Sequence, residues 1–492
     1  MSLAQRLSVF VLGLLTPMVA LASEERGRPL HFDEVLQSVN EHDPRIRQAV
    51  AQLRRAESKT MAARGAFDPR LEGDGKILTG AYYDLRRANV ELRQPTTLWG
   101  SEIFVGYRVG LGINERWPTY RDDQTLSGGE VRAGIEVPIW RGGLTDPDRA
   151  ERARAIQLEE AADQALSAAR LNLELAAART YWNWVGTGQN REVARALLDL
   201  AQQRDAQLRR RLAAGSIASF DVVDNERILL ERKAFLVAAE RAFEKATFEL
   251  SLFLRDSQGM PVVVGAQRVP EKVSVAPLEE LSVERAVDEV LACHPELEKA
   301  RADLDAAEVD QKLSRNEVSP ELNAVFAYSR DLGDLTNTDL DFTLPGNVFE
   351  VGVKLSMPLL LRKERGRAGV ARADVADKEA QVRLVSDQLR ARTLDAASAV
   401  EAAQRRAELT DDVVDTAAEL AEGERRRFEV GSSNLIFVNL REQQAAMAQM
   451  RYIEAVAQAE IERTRWETTT RFQCGGVPPL DSAPYRGLAE VD

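Results

Sequence analysis

The stretch "RRFEVGSSNLIFVNL", residues 426–440, interrupts what is otherwise one long run of helical spacing. A similar stretch, "RRLAAGSIASFDVVD", stands 216 positions earlier, at residues 210–224. In each of them a glycine, Gly215 or Gly431, is placed to end one helix, and the serine after it is placed to cap the next. These matched helix-ending residues therefore predict two long helical hairpins, each with a tight turn at its end.

These two stretches belong to a longer internal repeat. The sequence from Leu30 aligns without gaps with the sequence from Leu281, and "VRAGIEVPIW" at 131–140 matches "VGVKLSMPLL" at 351–360. Matched blocks in the same order predict a tandem duplication, because self-similarity along a chain is the signature of a repeated structural unit. The copies are named here the first repeat, residues 30–260, and the second repeat, residues 281–470.

Both ends of the chain differ from the repeats. Residues 1–22 carry one charge, Arg6, and an apolar run before a small-residue cleavage site, which predicts a secretory signal peptide. Residues 471–492 are rich in turn-forming residues and predict a flexible tail. Only Cys293 and Cys474 are present, so the exported chain can form at most one disulfide.

Each repeat opens with a predicted helix of about 35 residues, from Phe32 or Val283, which a proline interrupts. A strand region follows, and then a proline-free, alanine-rich stretch with helical spacing. Gly186 and Gly188 make the first long helix the one expected to bend or break. The fold class is thus mainly α, with a minority of β-strands.

The strand regions alternate between apolar and polar residues, as in "SEIFVGYRVGLG" at 101–112. Two interpretations stay open at this point. A soluble sheet would cover its apolar face with a core, whereas a transmembrane barrel would turn that face to lipid. No segment after the signal has the ~20 apolar residues of a membrane helix, so a membrane crossing would need strands. Trp99, Tyr107 and Trp140 fit the aromatic belt of a membrane interface.

Composition argues against other classes of protein. The net charge of −13 and the lack of a basic run disfavour nucleic-acid binding. The three histidines have no metal-ligand spacing, and neither a phosphate loop nor a nucleophile elbow is present. We therefore predict that the chain is not an enzyme and has no catalytic, cofactor-binding or metal-binding residues. A soluble periplasmic coiled-coil scaffold or adaptor remains the alternative to a channel.

Taken together, the order of elements resembles the TolC-like outer-membrane efflux proteins over nearly the whole mature chain. The resemblance is carried by the duplicated plan, the "EVPIW" and "SMPLL" junctions and the paired Arg-x3-Gly-Ser ends. It implies a homotrimer in which four strands per chain form a shared barrel in outer-membrane lipid. The helical hairpins would form an α-barrel continuous with it through the periplasm. A periplasmic adaptor and an inner-membrane transporter would be the partners.

The resemblance also assigns roles to individual residues. The hairpin ends would form the periplasmic mouth, where the adaptor docks; its residues are Arg211, Gly215, Ser216, Arg427, Gly431 and Ser432. The resemblance implies a mouth closed by acidic residues after the second glycine, but here that region has Asn439 and no carboxylate. The candidate constriction is therefore Asp221, Asp224 and Asn439, although both aspartates could simply cap or solvate a helix. The region from Phe67 to Gly129 exceeds a simple hairpin, which predicts extra strands or a long loop there.

Overall fold

A computed structural model describes residues 28–78, 84–113, 125–271, 274–275, 282–333 and 347–472. The predicted signal peptide and residues 473–492 of the predicted tail lie outside these residues. The chain divides into two compact units. One consists of residues up to 50, 166–295 and from 386 on, and the other consists of residues 51–165 and 296–385.

Eight α-helices are described, four in each predicted repeat. They are Phe32–His42 (α1), Pro44–Arg64 (α2), Pro147–Ala213 (α3), Ser219–Leu250 (α4), Val283–Cys293 (α5), Pro295–Glu317 (α6), Arg362–Glu429 (α7) and Leu435–Thr470 (α8). The opening helices are interrupted at Pro44 and Pro295, as predicted, because proline cannot donate the backbone hydrogen bond of a continuing helix. None of the described helices has an apolar stretch long enough to cross a bilayer.

The expected break near Gly186 and Gly188 does not occur, since α3 runs without interruption. The second glycine has a packing role instead. A Cβ atom at Gly188 would lie 2.8 Å from Val269, closer than Cβ atoms approach other atoms, and would make a tight contact of 3.1 Å with Phe243. Glycine is therefore retained there so that other segments of the same unit can approach the helix.

Within the described ranges, six strands form a single antiparallel sheet in the order β1-β2-β3-β4-β5-β6. They are Arg70–Leu78 (β1), Asp84–Pro95 (β2), Glu102–Ile113 (β3), Glu130–Pro138 (β4), Glu321–Asp331 (β5) and Val348–Ser356 (β6). The four strands implied by the resemblance are thus too few. The first repeat carries an added hairpin, β2 and β3, which confirms the prediction of extra strands between Phe67 and Gly129.

One face of this sheet is apolar and exposed. Val105 is about half exposed, and Val351 and Val353 of β6 are about 70% exposed. The other face carries opposite charges that pair across the sheet, mostly between neighbouring strands and, for Arg132 of β4 with Glu350 of β6, across the intervening strand β5. These ion pairs are Arg87–Asp74, Arg93–Glu102, Arg108–Glu130 and Arg132–Glu350.

The unit that contains the hairpin ends has an aromatic core around Trp184. This side chain is fully buried, and its indole N–H donates to the hydroxyl of Thr247 over 3.1 Å. The hydroxyl of the neighbouring Tyr181 donates to the backbone carbonyl of Leu30. Because both polar groups of these rings have partners, the aromatic surface is buried without an unsatisfied donor.

Candidate functional site: the paired hairpin ends

The two hairpin ends have the same backbone geometry. Gly215 and Gly431 have φ angles of +71° and +77°, in the left-handed region. The residue after each glycine donates its backbone N–H to the carbonyl five residues earlier, at 3.0 Å for Ser216 to Arg211 and 2.8 Å for Ser432 to Arg427. This is the Schellman arrangement, which satisfies carbonyls that the helix end leaves free.

The predicted capping serines do not cap the following helices. The N-cap of α8 is Asn434, whose side chain accepts from the backbone N–H of Phe437, and the N-cap of α4 is Ala218. Ser432 instead donates its hydroxyl to the carbonyl of Arg427, at the end of the preceding helix. That correction follows from geometry, since two residues separate each serine from the start of the next helix.

The two ends of one chain pack directly on each other. Val222 of the first hairpin and Leu435 of the second belong to one buried cluster, and Phe428 packs against it. The guanidinium of Arg211 lies 5.8 Å from the centre of the Phe428 ring, within cation–π distance. The two turns, 216 residues apart in sequence, therefore form one structural end.

Behind this end lies a buried ionic cluster that the sequence did not reveal. The Glu442 side chain is only 2% exposed and accepts from two buried arginines, Arg204 and Arg232, with the second at 3.2 Å. Arg232 also donates to the carbonyl of Leu197. Burial lowers the pKa of Arg232, while Glu442 opposes that change. The cluster joins α3 and α4 to α8, so it ties the first hairpin to the second.

A sequence signal for this cluster exists in hindsight. Leu435, Val438 and Glu442 occupy one helical stripe, in which a carboxylate replaces an apolar residue. A charge on a buried stripe requires a partner, because an unpaired buried ion is strongly destabilising. The sequence alone does not show which residues are in contact, so it could not indicate which arginine pairs with Glu442.

The candidate constriction residues are only partly brought together. Asp224 and Asn439 line an open groove of about 380 Å³ between α4 and α8, whereas Asp221 lies in the first turn of α4 and does not line it. Asp224 pairs with Arg227 at 3.1 Å. Asn439 is buried and accepts a hydrogen bond of 2.5 Å from Arg204. Asn439 therefore belongs to the Glu442 cluster behind the hairpin ends.

Exposed apolar side chains surround the hairpin ends. Val430 is 79% exposed and Ile436 is 66% exposed, and Phe220 of the first hairpin is similarly open. Such residues beside a rigid turn provide a surface that another protein could bury.

The three predicted interface aromatics lie on the sheet unit. Trp99 and Trp140 are exposed near the ends of β2 and β4, and the Trp99 indole donates to the carbonyl of Pro138. Tyr107 lies farther along the sheet, where its hydroxyl donates to the carbonyl of Gly128. Their role at a membrane interface stays a prediction of the sequence.

Comparison with solved structures places this architecture among outer-membrane channels. The Campylobacter jejuni CmeC outer membrane channel superposes with a TM-score of 0.62 at 12% identity, covering 89% of this chain and 85% of that one. The Vibrio cholerae outer membrane protein VceC gives 0.60 at 17% identity, covering 89% and 95%. The open-state Neisseria gonorrhoeae MtrE outer membrane channel gives 0.61 at 14% identity, covering 89% and 88%. At these identities the matches define the fold.

Sequence comparison supports the same class. Residues 286–467, most of the second repeat, match the family model described as outer membrane efflux protein. The resemblance to TolC-like outer-membrane efflux proteins is therefore confirmed. That family consists of channels, in agreement with the prediction that the chain is not an enzyme. No curated protein matches this chain by sequence.

Proposed function

We propose that this chain is the outer-membrane exit duct of a tripartite efflux or type I secretion system. It would conduct substrates passively from a periplasmic adaptor and an inner-membrane transporter to the exterior. The observation that carries the proposal is the combination of an exposed apolar sheet face with paired hairpin ends in one chain. A sheet face of this kind is stable in lipid, where apolar side chains are the favourable surface.

The proposal includes a homotrimer and a tandem duplication. Oligomerisation would remove the free edges of the sheet, which a membrane does not tolerate. The equal geometry of the two hairpin ends supports the duplication, because matched turns at corresponding points of two matched segments are the signature of a repeated structural unit. The signal peptide would direct the chain to the periplasm and so to the outer membrane.

Fractionation of cells expressing the full chain tests this function. We expect the protein in the outer-membrane fraction, extracted only by detergent, and migrating as an oligomer until it is heated. A monomer released with the periplasmic fraction would overturn the duct and favour the scaffold or adaptor.

Docking at the hairpin ends is tested separately. The double variant Val430→Asp/Ile436→Asp places charges on two exposed tip residues, so the chain should fold and assemble while export falls at least tenfold. Leu409→Asp is the matched control, because this residue is 65% exposed on the same helix but 21 residues before Val430. If the Val430→Asp/Ile436→Asp variant assembles and exports normally, the adaptor does not dock at the hairpin ends.

A further inference from the structure

The outer edges of β1 and β6 have no strand partner among the described residues. A free edge is a template for pairing with another chain. Since the sheet is antiparallel and has six strands, β6 runs opposite to β1. The β6 edge of one copy can therefore pair antiparallel with the β1 edge of the next.

We propose that β6 pairs over its whole length with β1 of the neighbouring copy, closing an 18-stranded barrel in the trimer. Four strands per chain would give a twelve-stranded barrel instead. The partner of this surface is a second copy of the same chain, and the number of copies rests on the proposed function. The register of the new pair follows from the strand registers within one chain.

Stepping from each residue to the one directly opposite it on the next strand traces a line across the sheet, perpendicular to the strands, from β1 to β6. The line passes through Arg70, Arg93, Phe104, Gly134, Ala327 and Glu350. If this line continued without displacement onto a neighbouring copy, Glu350 of one copy would lie opposite Arg70 of the next. Only three residues of β6 would then face residues of β1. A displacement of six residues places Glu350 beside Lys76, and the two nine-residue strands then overlap from end to end.

A displacement of this size is compatible with barrel closure. A closed barrel must stagger its strands by a fixed shear. Six residues for each of three copies give a shear of 18 for 18 strands. The ratio of shear to strand number is then that of the eight-stranded barrel with shear 8, whose strands tilt by about 36°. Outer-membrane barrels tilt by about 35–45°, so the register with the fullest overlap also has an ordinary tilt.

Charges on the polar face favour this register. Besides Lys76 with Glu350, it places Glu72 opposite Lys354, another pair of opposite charges. A slip of two residues in one direction would place Asp74 beside Glu350, where like charges repel. Both the charge pairs and the length of the strand overlap therefore favour the register with Glu350 beside Lys76 over the register with Glu350 beside Asp74.

Side-chain size on the apolar face agrees as well. The register places Gly73 opposite Val353 and Gly75 opposite Val351, so small residues of one copy face large ones of the next. Within its own chain a Cβ atom at Gly73 would come no closer than 3.6 Å to another atom, and one at Gly75 no closer than 3.8 Å. Packing inside the described chain does not require these glycines, whereas close approach of a neighbouring strand explains them.

Disulfide trapping in the full-length chain tests the pairing. Gly73→Cys combined with Val353→Cys places two thiols on directly opposed residues, within the Cα separation that a disulfide spans. Cys293 is already disulfide-bonded, so no free native thiol competes within the described residues. After oxidation of outer membranes we expect covalent dimers and trimers on non-reducing gels, lost on reduction.

Three control variants show whether the cross-link depends on this particular pair of residues. Each single cysteine variant should stay monomeric on the denaturing gel, and so should Gly73→Cys with Phe349→Cys, which lies four residues farther along the same face. An intact outer-membrane trimer that fails to cross-link through Gly73→Cys and Val353→Cys would overturn this register but leave the duct. A protein that forms no membrane oligomer would overturn both. Counting strands in a cryo-electron microscopy cross-section adds a second test, with 18 expected and twelve contradicting the proposal.

Discussion

At Gly215 and Gly431 a single dihedral angle determines whether the hairpin can turn. A Cβ atom at either position would meet no atom within 4 Å, so space does not explain the glycine. The positive φ does, because this region costs a residue with a side chain about 1–2 kcal/mol. The backbone conformation, and not packing, thus fixes the residue type at each end.

Gly431→Ala should therefore destabilise the hairpin end by about 1 kcal/mol. Gly423→Ala is the matched control: it also lies in open space, but inside α7, where alanine should stabilise by about 0.5–1 kcal/mol. Hydrogen exchange of amides in residues 426–434 measures the local opening free energy. Faster exchange for the first variant and slower exchange near the second are expected; equal effects would contradict the backbone explanation.

Glu174 offers a prediction about pH. Burial raises the pKa of this carboxyl, and the negative charge of Glu467 raises it further. A raised folded-state pKa means that the charged form is disfavoured, so stability from this group is greatest below its unfolded pKa and falls as pH rises from about 4.5 through the folded value. Folding is thus weakened at neutral pH by this carboxylate.

Glu174→Gln should accordingly raise the midpoint of thermal dissociation at pH 7.5 but not at pH 4. Glu401→Gln, on a half-exposed side chain, serves as the control and should change the midpoint little at either pH. Heat-dissociation curves of the detergent-solubilised oligomer at both pH values provide the measurement. A stabilisation of equal size at pH 4 would point to packing instead of charge.

At the scale of elements, the buried Glu442 cluster links the two hairpins through ion pairs. Breaking one partner of a buried ion pair costs about 3–5 kcal/mol, since the remaining charges stay desolvated. Glu442→Gln should therefore destabilise the protein by about that amount. Glu231→Gln removes an exposed partner of Arg227 and should cost no more than about 1 kcal/mol. Denaturant unfolding of both variants would settle the difference, and similar values would show that the cluster contributes little.

The elements also show what the sequence could predict. Alternation and helical spacing located the helix interruptions, the strands from 102 and 130 and both hairpin ends, because each depends on local chemistry. The sheet order and the position of β2 in the added hairpin could not be derived, since pairing between strands leaves no local signal. The unbroken helix at Gly188 was missed for the same reason: its glycine accommodates a contact with Val269, 81 residues away.

For the whole molecule, the distribution of charge bears on what a duct would select. On the polar face of the sheet opposite charges are paired, as in Arg93 with Glu102 and Arg132 with Glu350. Paired charges create a weaker field for a passing ion than a ring of one sign. Selectivity should therefore arise mainly at the mouth, where Asp221 and Asp224 would be repeated in every copy.

The variant Asp221→Asn/Asp224→Asn tests this while keeping the shape and hydrogen bonding of both side chains. We expect the reversal potential of single channels in a salt gradient to shift toward anions, because carboxylates near a pore mouth attract cations. Arg108→Gln with Glu130→Gln is the control: it removes a charge pair of the sheet without changing net charge, so the potential should stay constant. An unchanged potential in the aspartate variant would assign both residues to helix capping and solvation, and a shift only in the control would place the selective region at the sheet.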